Sequence, residues 1–182
     1  MNSIGVRRDA GSVDVLVKRL SDKDEEVASA ASVALGMIGS EAAVKAIRPV
    51  LTSGPAKVRS AAAEGCVLAA ERMNANGKSA DAVALYDEVR KAELPKQRIV
   101  EATRGAILAR KQDGIPLLVE QLRSKDRKLF EVGLFAAREF PGSEVDQALA
   151  AELATADPGR AAQTSLRKNP ERAPLCSWVT LE

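Results

Sequence analysis

The chain has 182 residues, enough for one ordinary globular domain, and 46% of them are hydrophobic, which excludes wholesale disorder. Lys and Arg number 27 against 25 Asp and Glu, so a net charge of +2 provides no general basic or acidic coat for nucleic acid or membrane. Ala, Val and Leu supply nearly all the apolar content while Phe, Trp and Tyr make only 3% of the chain, a mix that favours close-packed helices over sheets.

Taken in chain order, Ile4-Gly5 stands where Ile38-Gly39 stands one unit later, so the start reads as the tail of a preceding helix and the chain as opening mid-array. Val13-Leu16-Leu20 then places apolar residues at offsets 0, 3 and 7, one stripe of a first helix. After the turn Ser21-Asp22-Lys23-Asp24, a second helix runs from Val27 to Gly39 with apolar or small residues at offsets 0, 3, 4, 7, 8 and 11. The two spacings alternate from there. First helices recur at Val44-Ile47-Leu51, Ala82-Leu85-Val89, Ile115-Leu118-Leu122 and, more weakly, Asp146-Leu149-Leu153. Second helices recur from Val58, Ile99, Leu129 and Pro158, with Arg110 and Asn169 departing from the apolar register at offset 11.

The starts 27, 58, 99, 129 and 158 lie 31, 41, 30 and 29 residues apart, a period near 30 with one insertion of about ten, and 78–92 makes an unusually long first helix. Breakers fall between the helices at Gly39-Ser40, Ser53-Gly54-Pro55, Asn76-Gly77, Asp113-Gly114 and Pro141-Gly142. Pro55, Pro95 and Pro158 are expected in the first turns of second helices, where a missing N–H is harmless. The expected fold is all-α, an α-solenoid of about five stacked helical hairpins at 11–39, 41–74, 78–111, 114–141 and 143–169, within one repeat domain over 1–175. An irregular tail, 176–182, carries Cys176 and the single Trp178.

The run Val27-x-x-Ala30-Ala31-x-x-Ala34-Leu35-Gly36-x-Ile38-Gly39, followed by Ala43-Val44-x-x-Ile47-x-x-x-Leu51, resembles the short HEAT-like repeats first associated with phycocyanobilin lyases. The resemblance covers about residues 4–170 and implies a HEAT/armadillo-like superhelix. It says little of function, because such repeats serve many unrelated binding tasks.

Chemistry is sparse. The absence of histidine excludes Ser-His-Asp and Cys-His nucleophilic sites, His-ligated zinc and the His-Glu iron site of a HEAT-like hydroxylase. Cys66 and Cys176 are too few for a cysteine metal site or a disulfide framework, and Cys66 falls at a small core position, so a reducing, cytoplasmic setting is the default. Phosphate-binding glycine loops are missing. The carboxylates Asp22, Asp24, Glu25 and Glu26 read as charge at a helix N-terminus, and Asp126 repeats the position of Asp24 three residues before an apolar start. No catalytic, cofactor or metal residue is expected, and no membrane span.

Arg59, Arg104, Arg138 and Arg167 lie off the core stripe of the second helices and form a candidate partner-binding ridge, although Glu64, Glu101, Glu131 and Glu139 are interspersed on the same helices. Off-stripe Val33, Met37, Val67, Leu68, Leu108, Phe130, Leu134 and Phe135 are expected mostly between neighbouring units, with Phe130, Phe135 and Phe140 packing together in the core. The expected function is a non-enzymatic scaffold for a protein or peptide, part of a larger HEAT-repeat protein, with uncapped ends open to self-association. A nucleic-acid module is the alternative, disfavoured by charge and by the scarcity of aromatics. A bilin lyase or chaperone-like subunit follows only from the resemblance.

Overall fold

The computed structural model describes residues 2–140 and 143–155, and the chain falls into two compact units, 1–114 and 115–182. Arg167, Pro158, Trp178 and the second helix of the fifth expected hairpin lie outside the described residues. Among the described residues every regular element is helical, and the fold class is all-α, with hairpins stacked as in an α-solenoid.

In the first unit α1 (Asn2–Arg7), α3 (Glu25–Ile38), α5 (Ala56–Ala75) and α7 (Lys96–Ala109) lie side by side as one layer of second helices. Against them pack the first helices α2 (Val13–Arg19), α4 (Glu41–Ile47) and α6 (Ser79–Lys91), with 3-10 turns at Ala10–Ser12 and Arg48–Leu51 extending α2 and α4. The short α1 therefore holds the place of a second helix, as Ile4-Gly5 suggested. In the second unit α8 (Ile115–Arg123) pairs with α9 (Arg127–Glu139), and α10 (Ser143–Thr155) packs on α8.

Local sequence explains where the helices start and stop. Asp24 accepts from the Glu26 amide at 2.9 Å and Asp126 from Lys128 and Leu129 at 3.0 and 3.4 Å, so these carboxylates satisfy free N–H groups at the starts of α3 and α9. Ser40 does the same for α4 through the Ala43 amide, at 3.3 Å. Pro55 and Pro95 are N-caps with extended backbone, one residue ahead of the first turn where the sequence placed them. At the end of α3, Gly39 turns left-handed at φ 61° and Arg72 of the neighbouring α5 donates to the Ile38 and Met37 carbonyls. A cation thus sits on the negative end of the α3 dipole.

The core is aliphatic and made of small residues. Ala31, Ala34, Leu35, Ala62, Cys66, Ala69, Ala102, Ala106 and Ile107 are sealed from solvent, all on the predicted stripes. Small side chains let the second helices meet backbone to backbone: a Cβ built on Gly36 would lie 2.2 Å from the Gly65 Cα, and one on Gly65 would lie 2.6 Å from the Ser32 carbonyl oxygen. The Ser32 hydroxyl, buried in this seam, donates back to the Ala28 carbonyl at 2.9 Å and is satisfied within its own helix.

Two differences from the sequence reading have physical causes. The insertion is shared between α5, which has 20 residues against 14 in α3 and α7, and the long first helix that follows, which is shorter than expected at Ser79–Lys91. Of the three phenylalanines, Phe130 is buried, Phe140 half-buried and Phe135 44% exposed. Phe135 stands at offset 6 from Leu129, the flank where the other second helices carry half-buried Val33 and Glu64, so a core position is not available to it.

Arg110, which breaks the apolar register, takes part in a polar cluster instead. Asp87 of α6 accepts from Arg90 at 2.9 Å and Arg110 at 2.5 Å, Arg110 also donates to the Ala106 carbonyl at 3.0 Å, and Arg90 lies 3.3 Å from the Thr103 hydroxyl. All three charged side chains are about three-quarters buried or more, so the cluster ties α6 to the end of α7 in the way an apolar residue would have done.

Candidate functional site

The second-helix layer of the first unit presents an outward face built from α1, α3, α5 and α7. Its residues come from the flank of each helix opposite the first helices, and their character changes along the helix. Toward the N-terminal ends the face is charged and self-paired. Lys57 pairs with Glu26, and Arg98 bridges Glu64 at 2.5 Å and Glu101 at 2.8 Å. These pairs join adjacent helices, α3 to α5 and α5 to α7, and their partners are 31 and 34 residues apart, close to the repeat period.

Toward the C-terminal ends the same face is apolar. Val6 of α1 is 71% exposed, and Met37 and Leu68 are only half-buried. Together with Gly5 and Ala75 they line a groove of about 640 Å³ whose polar edge is made by Arg8, Glu71, Arg72 and Asn76. Gly5 lets α1 approach α3, since a Cβ there would meet the Met37 sulfur at 2.9 Å and the Ala34 Cα at 3.1 Å.

The proposed arginine ridge is distributed differently. Arg59, Arg104 and Arg138 occupy offsets 1, 5 and 9 of their helices, which share one flank. In α3 that flank is Ala28, Ser32 and Gly36, all buried, and in α5 it continues beyond Arg59 in buried Ala63 and Val67. Arg59 is accordingly half-buried, and its Nε is shut off from solvent with no hydrogen-bond partner among the described residues. Arg104 is exposed on the first unit and Arg138 on the second. The groove residues Met37 and Leu68 were visible in the sequence as off-stripe apolar residues. Their openness was not, because no residue on a neighbouring helix large enough to cover them can be read from offsets alone.

Cys66 is inert by placement. It is fully buried, and burial pushes its thiol up to about 12, so it holds its proton at any ordinary pH. Tyr86 is shifted upward as well, chiefly by burial against Gly105, whose Cβ would fall 2.4 Å from the ring. The sign of the linkage is clear for both groups. Below pH 9 the thiol is protonated in folded and unfolded chain alike; above it the unfolded chain loses the proton that the folded chain keeps, and stability falls as pH rises toward 12. Thermal melts followed by circular dichroism are expected to drop between pH 8 and pH 10, and Cys66→Ala to flatten that drop. Equal slopes in both proteins would place the alkaline sensitivity elsewhere.

Among the described residues no group of three or more His, Cys, Asp and Glu is placed to hold a metal ion, and no helix is long and apolar enough to cross a membrane. Two hairpins with a shared small-residue stripe, packed second helix on second helix, are what a repeat family requires, and residues 2–66 match the family model for HEAT repeats. The chain is similar to two solved structures, both described as crystal structures of engineered proteins from the Northeast Structural Genomics Consortium. One is 20% identical with a TM-score of 0.49, covering 86% of this chain and 77% of that one. The other is 23% identical with a TM-score of 0.44, covering 91% of this chain and 49% of that one. No curated protein matches. The stacked hairpins of the first unit form a repeat scaffold, and the surfaces described above are what that scaffold presents.

Proposed function

We propose that this HEAT-repeat chain is a non-enzymatic scaffold that holds a protein partner on the second-helix face of its first unit. The observation that carries this reading is the open apolar groove: Val6, Met37 and Leu68 remain accessible side by side on one face, while the equivalent aliphatic residues on the stripes are buried. Helical repeats that bury their apolar residues elsewhere and leave a contiguous set uncovered present a ready interface. Methionine adds adaptability, since an unbranched thioether can conform to different partner side chains. Arg8 and Arg72 on the edge, with exposed Arg104 as a further cation of the same unit's second helices, would select acidic residues flanking an apolar anchor.

A photo-crosslinking amino acid placed at position 68, with a second protein carrying it at exposed Lys23, tests the proposal in extract from the source cells. Discrete adducts to another protein are expected from position 68 alone, reduced about tenfold by Met37→Asp, which places a charge in the apolar floor. Adducts to a second copy of the chain would support self-association in its place, and adducts to nucleic acid that vanish steeply with salt would support the nucleic-acid alternative. Equal labelling from both positions would overturn the groove as a binding site.

A further inference from the structure

The first-helix layer of the first unit contains a cleft that the regular repeat would not have. α2 packs against α4, but α6 packs on α5 and α7 and not to a comparable extent along α4. The cause is the length of α5, six residues more than its neighbours, which at 1.5 Å per residue carries the start of α6 about 9 Å farther along than a regular unit would. A cavity of about 560 Å³ opens between α4 and α6, floored by Val44 and Leu85 and closed by the C-terminal turn of α5. Arg48 of the α4 extension reaches across to Glu88 of α6, Nε to Oε2 at 2.8 Å with a second contact beside it, and holds the two walls together.

The charge in this cleft is uneven. Lys45, Arg48, Arg72 and Lys78 line it against Glu41 and Asp81, which stand in the first turns of α4 and α6, where acidic residues stabilise the helix itself, and with Glu88 taken up by Arg48 one cation remains in excess. Lys45 and Lys78 make no ion pair among the described residues, unlike Arg48, and their ammonium groups face solvent. The position of Lys78 is built. Its amide donates to the Met73 carbonyl at 2.8 Å while that of Gly77, at φ 79°, donates to Asn74 at 3.0 Å, the paired closure that ends a helix on a left-handed glycine. The Ser79 hydroxyl adds a 2.8 Å bond to the Asn74 side chain. The segment bearing Lys78 is therefore fastened to α5 at the mouth of the cleft.

We propose that this cleft binds an acidic peptide segment of a partner protein, with carboxylates at Lys45 and Lys78 and an aliphatic side chain on the Val44 and Leu85 floor. Its volume is that of a small-ligand or short-peptide site, it is open along the layer, and its excess of cations matches carboxylates around an apolar anchor. It lies on the first-helix layer, shares only Arg72 and Asn76 with the second-helix groove, and does not rest on the function proposed above.

Fluorescence polarisation with the full chain and a fluorescein-labelled twelve-residue peptide of Asp, Glu and Leu tests it, with a Lys and Leu peptide of the same pattern as control. The acidic probe is expected to bind, and Lys45→Glu with Lys78→Glu to weaken it about tenfold or more without changing the helical signal, because both side chains are exposed and unpaired. Ala84→Trp, at an exposed position on the wall, is expected to block the probe by filling the cleft with charge unchanged. Arg104→Glu, on the second-helix layer, is expected to have little effect. Loss of binding with Arg104→Glu and not with the lysine pair would assign the probe to the other face and overturn the proposal. Displacement by millimolar pyrophosphate as readily as by unlabelled peptide would overturn the peptide as ligand, and so would failure of the acidic probe to bind.

Discussion

Gly36→Val is expected to cost more than about 3 kcal/mol and to lower the melting temperature of the chain by about 10 °C or more. The reason lies in what the added atoms would meet. A Cβ at position 36 comes within 2.2 to 2.5 Å of the Cα, oxygen and carbonyl carbon of Gly65, all backbone atoms of a neighbouring helix that cannot rotate away. Relief requires α3 and α5 to separate, and separation uncovers Ala31, Ala34, Leu35, Ala62 and Cys66 together. Gly5→Ala is the contrasting case. There the Met37 sulfur at 2.9 Å belongs to a flexible side chain and the one backbone atom in the way, the Ala34 Cα at 3.1 Å, needs to give by only a few tenths of an ångström, while the substituted helix gains some propensity, so a smaller cost of about 1 kcal/mol is expected. Thermal melts read by circular dichroism separate the two. A Gly36→Val protein that melts with the parent would show that the α3 and α5 backbones do not meet at this point.

The close approach at Gly36 and Gly65 also shows what periodicity can convey. Offsets 0, 3, 4, 7, 8 and 11 marked the face toward the first helices, and Ala31, Ala34, Leu35 and Ile38 are indeed buried there. They did not mark the second contact, in which Ala28, Ser32 and Gly36 face the next second helix, because small and polar residues on that flank look like solvent-facing ones. The same ambiguity affected the arginines. Arg59 looked free because it was charged and off the stripe, yet its flank in α5 is mostly buried. Capping by Asp24 and Asp126 was legible because it is local, needing only an amide two or three residues away. Pairs between helices, such as Arg98 with Glu64 and Lys57 with Glu26, had a signal that could have been used: opposite charges one repeat apart on equivalent helices. The cleft between α4 and α6 had half a signal, the insertion of about ten residues, but helix length decides where an insertion opens space. That depends on whether α5 continues through Glu71 to Ala75, as it does.

Ile47→Ala is expected to destabilise the first unit by about 3 kcal/mol, within the range for truncating a fully buried aliphatic side chain. Ile47 ends α4, has no solvent exposure, and its Cδ1 lies 3.4 Å from where a Cβ of Gly65 would be. It therefore fills the space that a larger residue at position 65 would otherwise occupy, and its removal leaves a cavity that rigid helices on either side cannot close. This arrangement makes the pair Ile47→Ala and Gly65→Ala informative as a double-mutant cycle. Space freed by Ile47→Ala lies on one side of the new methyl, but the Ser32 carbonyl oxygen at 2.6 Å lies on another and is unaffected. The two costs are expected to add within about 0.5 kcal/mol. A double variant more stable than that sum by 1 kcal/mol or more, measured by denaturant unfolding, would mean that side-chain packing against Ile47, and not contact with the α3 backbone, requires glycine at position 65. Additivity would place the requirement for glycine in the second-helix layer itself, where Gly36 and Gly65 set how closely one hairpin can lie on the next.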